Sequence, residues 1–208
     1  MISSKLATYI RLVTSWPGLV SGPAEPLVED CLVLLDHLAG ATSLVDVGSG
    51  GGMPGLPLKI ARPELRVTLV EADRRKAAFL VHAAARLELE GVDVVAERAE
   101  TAGHDPKLRE AFDVAACRAL APLPVLAELA MPFVRVGGRL LAMKGPTEEE
   151  AGAAIEALGG GPAEVVAAPT PARERGVIVI VPKVAPTPAT YPRRPGLPGR
   201  RPIGKSDR

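Results

Sequence analysis

The sequence is poor in aromatic residues and in cysteine. Only 3% of the 208 residues are Phe, Trp or Tyr, so a core must be built from Val, Leu and Ala. The two cysteines, Cys31 and Cys117, lie far apart, and neither has a second Cys or a His at metal-ligand spacing. This pattern argues against a disulfide framework and against a zinc site, and it fits a reducing compartment. We therefore predict a protein without a metal.

Long apolar runs are also missing. No stretch reaches the ~18 apolar residues that a membrane helix needs, and the first 18 residues lack the apolar run and small-residue cleavage site of a signal peptide. We expect a cytoplasmic protein that acts as a monomer, away from membranes. The apolar fraction of 47% is enough for the core of one compact α/β domain.

The net charge is small, but the charged residues are unevenly distributed along the chain. The net charge is +1, yet residues 184–208 hold six basic residues and one acid, which leaves the remainder mildly acidic. This segment is rich in proline and cannot form a regular helix. We interpret it as an extended basic tail. Two hypotheses remain open: it binds a polyanion and becomes ordered there, or it is a solvated terminus.

From residue 43 onward, short apolar runs alternate with helical stretches. Runs that are apolar on both faces and separated by helices indicate a mainly parallel sheet covered on both sides. Residues 1–40 instead have the spacing of helices. The sequence thus predicts an N-terminal helical segment (1–40), an α/β domain (41–183) and the tail (184–208). The predicted strands are 43–48, 66–72, 92–97, 112–117, 139–144, 163–168 and 176–181, and the predicted helices between them are 54–61, 74–90, 124–134 and 147–158.

The stretch VDVGSGGGMPG, residues 45–55, follows the first predicted strand and precedes a helix. Ligands of such folds bind at the carboxyl ends of the strands. Glycines allow positive φ angles and let a ligand lie directly on the backbone, and the helix beyond adds the positive end of its dipole. The loop therefore indicates a nucleoside-containing ligand.

Two registers of the loop compete. G-x-G-x-x-G can be read from Gly50, which is the dinucleotide fingerprint, but it comes two residues late relative to the strand. D-x-G-x-G-x-G can be read from Asp46, which is typical of S-adenosylmethionine (SAM) methyltransferases. Glu71, at the end of the second strand, suits ribose hydroxyls in either class. The second register favours a Rossmann-like, class I SAM-dependent methyltransferase, and an NAD(P)-binding oxidoreductase stays as an alternative.

Basic residues are predicted at the same edge of the sheet. Arg98 follows the third strand, Arg118 the fourth and Lys144 the fifth, while Arg173 and Arg175 precede the last strand. Each alone is typical of a solvated surface charge. Several at one rim suit a phosphate-rich substrate.

Taken in order, VDVGSGGGMPGLPLKIARP, VEADRRKAAFL, ERAE, CRAL, AMKG, RERGVIVIV and YPRRPGLPGRRPIGK resemble the RsmG (GidB) family of small-subunit rRNA methyltransferases over about residues 28–203. The resemblance implies that SAM is the cofactor. It also implies methyl transfer to N7 of one guanine in 16S rRNA. We expect the RNA to be presented within the small ribosomal subunit or an assembly intermediate.

The resemblance also implies roles for particular residues. Arg118 and Lys144 are expected to be catalytic. Arg98, Lys144 and Arg175 match basic family positions associated with RNA, and Arg193 and Arg194 in the tail are further candidates. The cofactor contacts implied by the matching motifs are Gly48, Gly50, Met53, Glu71, Ala72, Asp73, Ala99, Glu100 and Arg118.

The N-terminal part departs from the family pattern. Trp16 is not followed by the family's N-L-T segment, and its H-x-x-D-S motif is represented only by Asp30-Cys31-Leu32. This region is therefore shorter than the family pattern, and it is the region expected to form a lid over the cofactor. Two further alternatives therefore stay open: a SAM-dependent methyltransferase of a small molecule or protein, and a non-catalytic relative that binds SAM or RNA.

Overall fold

The computed structural model describes residues 3–20, 22–118, 121–146 and 151–204. Helix α1 (Ser4–Ser15) begins at Ser3, whose side chain accepts a hydrogen bond from the Leu6 backbone N–H. Helix α2 (Glu25–Leu32) continues into a 3₁₀ turn (Val33–His37). The helical character predicted for the N-terminal segment is therefore observed.

A seven-stranded sheet forms the centre of the molecule, in the order β3-β2-β1-β4-β5-β7-β6. Strands β1 to β5 pair in parallel, and β7 is antiparallel to both of its neighbours. This confirms the predicted seven-stranded, mostly parallel sheet. The strands are β1 (Ser43–Val47), β2 (Arg66–Val70), β3 (Val92–Val95), β4 (Phe112–Arg118), β5 (Val134–Lys144), β6 (Glu164–Ala167) and β7 (Val177–Pro182).

Successive residues of a strand point to opposite sides of the sheet. Both sides carry apolar residues here, so helices cover both faces. Leu44 of β1 belongs to a buried cluster with Phe79, whereas the next residue, Val45, belongs to a second cluster with Phe133. No helix in the described ranges is long and apolar enough to cross a membrane. The covering helices are α3 (Gly55–Ala61), α4 (Arg74–Arg86), α5 (Ala99–Ala102), α6 (Leu123–Ala130) with a 3₁₀ turn (Met131–Phe133), and α7 (Gly152–Ala157).

Several bounds differ from the sequence predictions; for example, the helix predicted over 74–90 ends at Arg86, and the one predicted over 124–134 ends at Ala130. Strand β5 begins at Val134, five residues earlier than predicted, because Val134 pairs with Phe112 across an irregular register. Helix α5 was not predicted, and its four residues are too few to show a helical period. The helix predicted over 147–158 is observed from Gly152, and residues 147–150 lie outside the described ranges.

The basic tail packs against the body rather than extending from it. Arg109 donates to the carbonyls of Thr187, Pro188 and Tyr191, and so binds the backbone of the tail to the body. A short helix α8 (Leu197–Arg200) also forms. The expectation of a helix-free extended tail is therefore wrong for residues 184–204. Lys205, Asp207 and Arg208, counted in the tail's charge, lie outside the described residues.

Parallel pairing brings the carboxyl ends of β1 to β5 to one edge of the sheet. Arg118 ends β4, and Lys144 ends β5, where it pairs with Val177 at the start of antiparallel β7. The loop before β7 therefore lies at this edge as well. Arg118, Lys144 and the loop that holds Arg173 and Arg175 therefore share this edge.

Candidate functional site

The glycine loop wraps over the end of β2. The backbone N–H groups of Gly48 and Ser49 both donate to the carbonyl of Val70, and the Ser49 hydroxyl donates to the carbonyl of Asp46. The Tyr9 hydroxyl of α1 also donates to the loop, to the carbonyl of Gly51 over 2.6 Å. These contacts hold the loop at the carboxyl edge, with an N-terminal helix against it.

The glycines of the loop serve two different purposes. A Cβ on Gly52 would lie 2.5 Å from Leu56 Cδ1, and a Cβ on Gly55 would lie 2.6 Å from Leu69 Cδ2, so both positions allow close packing. Gly50 has a φ of +56°, and its Cβ would meet only the Gly48 carbonyl oxygen, at 4.0 Å. Gly50 therefore presents bare backbone to open space.

Two cavities meet at this loop. The Glu71 compartment measures about 280 Å³, and the Arg118 compartment about 270 Å³. Gly48 and Gly50 line both. The Glu71 compartment is lined further by Val47, Val70, Glu71, Ala72, Lys76, Glu97, Arg98, Ala99, Glu100 and Leu129. The Arg118 compartment is lined further by Leu19, Val20, Leu27, Ser49, Gly51, Met53 and Arg118.

Glu71 connects the second strand to the glycine loop. One carboxylate oxygen accepts the Gly50 N–H, and the other accepts the Asp73 N–H, both over 2.8 Å. Each oxygen has a second lone pair, and the side chain lines its compartment. Glu71 can therefore shape the loop and accept hydrogen bonds from a ligand.

Asp73 has a different task. Its carboxylate accepts the N–H groups of Lys76 and Arg75 and so caps α4; these bonds lower the pKa of Asp73. It lines neither compartment. Of the predicted cofactor contacts, the structure thus gives Asp73 a helix-capping position.

Ala99 and Glu100 form the far wall of the Glu71 compartment, at the start of α5. The buried Glu100 carboxylate accepts Arg98 Nη2 over 2.8 Å and the Gly196 N–H of the tail over 2.9 Å. Arg98 itself is exposed and lines the same compartment. The tail is thereby bonded directly to a residue of the cavity wall.

Leu19, Val20 and Leu27 of the N-terminal region cover the Arg118 compartment. Trp16 packs edge-on against Phe79 of α4, with ring centroids 5.3 Å apart. Although the N-L-T segment is missing, the shortened region still provides a wall for this cavity.

Arg118 belongs to a cluster that the sequence did not reveal. Its Nε lies 3.6 Å from Oδ2 of Asp30, a fully buried carboxylate on α2. Arg173 Nε also lies 2.9 Å from the same carboxylate, and the Thr170 hydroxyl donates to it over 2.8 Å. Arg173, which was expected at the basic rim, therefore forms an ion pair with a buried residue, Asp30. The only sequence signal for Asp30 was its place in the D-C-L remnant.

The other basic candidates occupy distinct positions. Lys144 Nζ donates to the carbonyl of Ala121 over 2.8 Å at the end of β5. Arg175 and Arg194 are exposed. Arg193 instead binds both carboxylate oxygens of buried Glu128. Arg193 therefore anchors the tail, and its contact with RNA stays a prediction.

Asp46 is a buried acid beneath the loop. Its Oδ2 accepts the Gly55 N–H over 2.9 Å, and its Oδ1 has no hydrogen-bond partner among the described residues. Burial, helped by the negative charge of Glu71, raises the pKa of Asp46 to about 7, although the Gly55 bond and Arg118 oppose the shift. The protonated form is therefore favoured in the folded protein at mildly acidic pH.

We predict that Asp46 makes folding stability fall with rising pH. Because its folded pKa lies above the unfolded value of about 3.9, the stabilisation is complete below about pH 4 and is lost as pH rises through 7. Between pH 5 and 8 the loss should be about 3 kcal/mol relative to Asp46→Asn. Urea unfolding of both proteins at the two pH values measures it; parallel pH profiles would contradict the assignment.

A larger groove, of about 400 Å³, lies elsewhere, between α7, β6 and the start of α6. Among the described residues, its lining includes Leu123, Ile155 and Val179, with Glu156 as the charged residue. Since convergent polar groups mark a binding site more than volume does, the paired compartments at the glycine loop remain the candidate site.

Comparison with known proteins identifies the family. Residues 24–158 match the family model GidB, described as rRNA small subunit methyltransferase G. The chain is 53% identical over 166 residues to "Ribosomal RNA small subunit methyltransferase G" of Roseiflexus sp. (strain RS-1), covering 78% of this chain and 71% of that protein. It is 46% identical over 181 residues to the protein of the same name from Chloroflexus aggregans, covering 85% and 76%.

Solved structures share the fold at low identity. An O-methyltransferase from Bacillus cereus, in complex with SAH, aligns with a TM-score of 0.63 and 18% identity over 88% of this chain and 92% of that chain. The O-methyltransferase TomG from Streptomyces achromogenes, in complex with SAM, gives 0.60 and 18% over 88% and 91%. These likenesses show a class I methyltransferase fold.

Proposed function

The chain belongs to the rRNA small subunit methyltransferase G (GidB) family, and from this premise we propose that it methylates N7 of one guanine in 16S rRNA, using SAM. The family supports rRNA as the substrate. The position on the guanine rests on the resemblance of the motifs and on the chemistry of the site.

The observation that carries the proposal is the pair of compartments meeting at Gly48 and Gly50. SAM has a nucleoside half and an amino-acid half joined at the sulfonium, which supplies the methyl group. Two adjacent cavities with an acid on one side and an arginine on the other fit such a molecule. Bare backbone at Gly50 lets it cross between them.

Residues of the Glu71 compartment would hold the nucleoside half. Glu71 would accept hydrogen bonds from ribose hydroxyls through its spare lone pairs. Ala72 and Ala99 offer small side chains along the wall, where an adenine ring can lie flat. Glu100 would act through its backbone, because Arg98 and Gly196 occupy its carboxylate.

Residues of the Arg118 compartment would hold the amino-acid half. Arg118 is the cation of that cavity and suits a carboxylate, and Met53 lies beside it. The packing of Gly52 argues against the alternative ligand, a dinucleotide such as NAD(P). The middle glycine of that fingerprint must let a pyrophosphate approach, whereas here Leu56 and Leu80 fill the Cβ direction and Gly52 lines neither compartment.

N7 of guanine carries a lone pair and no proton, so its methylation needs no general base. The protein must hold the nitrogen in line with the methyl group, which makes positioning the main contribution. Lys144 at the end of β5 and Arg118 at the end of β4 can donate to guanine O6 or to neighbouring phosphates. We therefore assign both to substrate positioning.

Exposed basic residues at this edge would contact RNA phosphates. We assign Arg98, Arg175 and Arg194 to this surface. Replacing Arg175 or Arg194 with alanine should weaken RNA binding and reduce the slope of log affinity against log salt by about 1 for each lost contact. Arg66→Ala is the matched control, since Arg66 is exposed at the opposite edge, at the start of β2. An unchanged slope in both variants would remove them from the interface.

We infer that the substrate is the small ribosomal subunit or an assembly intermediate, met in the cytoplasm by a monomeric enzyme. The near-neutral net charge supports a substrate that contains protein as well as RNA. Naked 16S rRNA should then be methylated more slowly than particles. Equal rates on both would contradict this choice.

The test of the function is methyl transfer from labelled SAM to small subunits from a strain that lacks this enzyme. We expect label in the small-subunit RNA, and none in large subunits treated in the same way. Small subunits that already carry the modification serve as the second control. Label in protein or in large-subunit RNA, with none in small-subunit RNA, would overturn the proposal.

A further inference from the structure

One buried carboxylate joins the N-terminal helices to the proposed active site. Asp30 of α2 is fully buried and lies within ion-pair distance of Arg118 at the end of β4 and of Arg173 before β7. We propose that Asp30 is a positioning residue that aims the Arg118 guanidinium into its compartment. The proposal rests on the proposed function, because it gives Arg118 its ligand.

The contacts divide the Arg118 guanidinium into a held side and an open side. Nε faces Asp30 Oδ2 at 3.6 Å, while Nη1 donates to Met53 Sδ at 3.2 Å. Met53 and Arg118 both line the compartment. The side chain of Arg118 is 20% exposed, so it reaches the cavity without lying free in solvent. Asp30 therefore holds the root of the group, while Nη1, bonded to Met53 in the cavity wall, keeps the far end of the group at the compartment.

The charges of the cluster support an anionic ligand. Two guanidinium groups share the Asp30 carboxylate, which leaves one positive charge uncompensated within the cluster. The two cations would repel each other without Asp30, and Arg118, the more exposed, would turn away. With Asp30 in place, the remaining charge is directed to the cavity, where the carboxylate of an amino-acid moiety fits.

Arg173 fixes the other side of this arrangement. Its Nη1 donates to the backbone carbonyls of Lys144 and Val177, at the paired ends of β5 and β7. Thr170, in the same loop, donates to Asp30 Oδ1. Asp30 is thus immobilised from the sheet edge, so the group that orients Arg118 is itself rigid.

A double-mutant cycle on SAM affinity tests the proposal. We expect Asp30→Asn to weaken SAM binding by about tenfold and Arg118→Ala by at least as much, because both remove the same contact. The double variant should bind no more weakly than Arg118→Ala alone. Losses that multiply would mean that Asp30 acts independently of Arg118, and unchanged affinity in Asp30→Asn would mean that it does not act at all; either result overturns the proposal.

Controls separate positioning from general destabilisation. Asp113→Asn breaks another aspartate–arginine pair, at the opposite end of β4, and should leave SAM affinity unchanged. If Asp30→Asn does not fold, Thr170→Val, which has nearly the same volume, removes the hydroxyl that donates to Asp30 and accepts the Arg173 N–H. It should weaken SAM by about two- to fivefold in the parent and not in Arg118→Ala. Equal weakening in both backgrounds would overturn the proposal.

The outcomes also show which proposal has failed, the positioning role of Asp30 or the proposed function. If the parent protein binds SAM but methylates no small-subunit RNA, the proposed function fails while the cycle still measures the coupling. If the parent methylates RNA and Arg118→Ala binds SAM normally, the function stands and the positioning role is overturned.

Discussion

Gly50→Val is expected to reduce SAM affinity at least about a hundredfold while the protein stays folded. Gly50 lines both compartments, and a side chain there would project into the space where they meet, since the nearest heavy atom to its Cβ is the Gly48 carbonyl oxygen, at 4.0 Å. Valine brings two methyl groups into that space. Its backbone cost at a φ of +56° is about 1–2 kcal/mol, which leaves most domains folded.

The backbone cost needs its own control. Gly40 has a φ of +74° and nothing within 4 Å of its Cβ, and it lies at the opposite edge of the sheet, before β1. Gly40→Val should therefore lose similar stability and bind SAM normally. Calorimetric titration of both variants separates the effects. The compartments would not be the cofactor site if Gly50→Val bound SAM as tightly as Gly40→Val.

Glu71→Ala is expected to weaken SAM by about 1–3 kcal/mol, which is roughly five- to 150-fold in the dissociation constant. The carboxylate would lose its bonds to ribose, and the N–H groups of Gly50 and Asp73 would lose their acceptor. Glu71→Gln keeps one acceptor oxygen and should lie between alanine and the parent.

Glu97→Ala is the matched control for charge. Glu97 lines the same compartment and is exposed at its mouth. If Glu71 acts through its directed bonds, Glu97→Ala should change affinity by less than about twofold, as exposed charges are weak in water. Equal losses in the two alanine variants would show that only the negative charge near the cofactor matters.

The sheet was predictable because its signals are local. Each strand is a short apolar run bounded by polar residues or glycine, and the alternation of runs and helices indicates parallel pairing. The beginning of β5 was not predictable, since Gly137 and Gly138 interrupt its apolar pattern. In the fold, a Cβ on Gly138 would lie 2.5 Å from the Asp113 carbonyl oxygen, so the glycine permits close contact with β4.

The candidate site was predictable where it follows strand ends and not where it depends on distant pairs. Gly48, Glu71, Arg118 and Lys144 come directly from the strand pattern. Asp30 is 143 residues from Arg173 along the chain, and nothing local marks their contact. The same limit applies to Arg193, whose partner Glu128 is 65 residues away.

Arg173 and Arg175 show that the environment of a residue can be unpredictable even when its position at the sheet edge is predicted. Both were expected at the rim, yet Arg173 binds the buried Asp30, and Arg175 is exposed. Two residues of the same type in the triplet R-E-R thus have opposite environments. Several basic residues near strand ends can indicate a basic surface. Which of them are exposed there depends on tertiary contacts that the sequence does not show.

The most direct measurement identifies the nucleoside that receives the methyl group. Small subunits lacking the modification would be incubated with the protein and isotopically labelled SAM, and the RNA digested and analysed by mass spectrometry. We expect labelled 7-methylguanosine at one position of 16S rRNA, and none with Gly50→Val. Label in a different nucleoside, or no label from a protein that binds SAM, would contradict it.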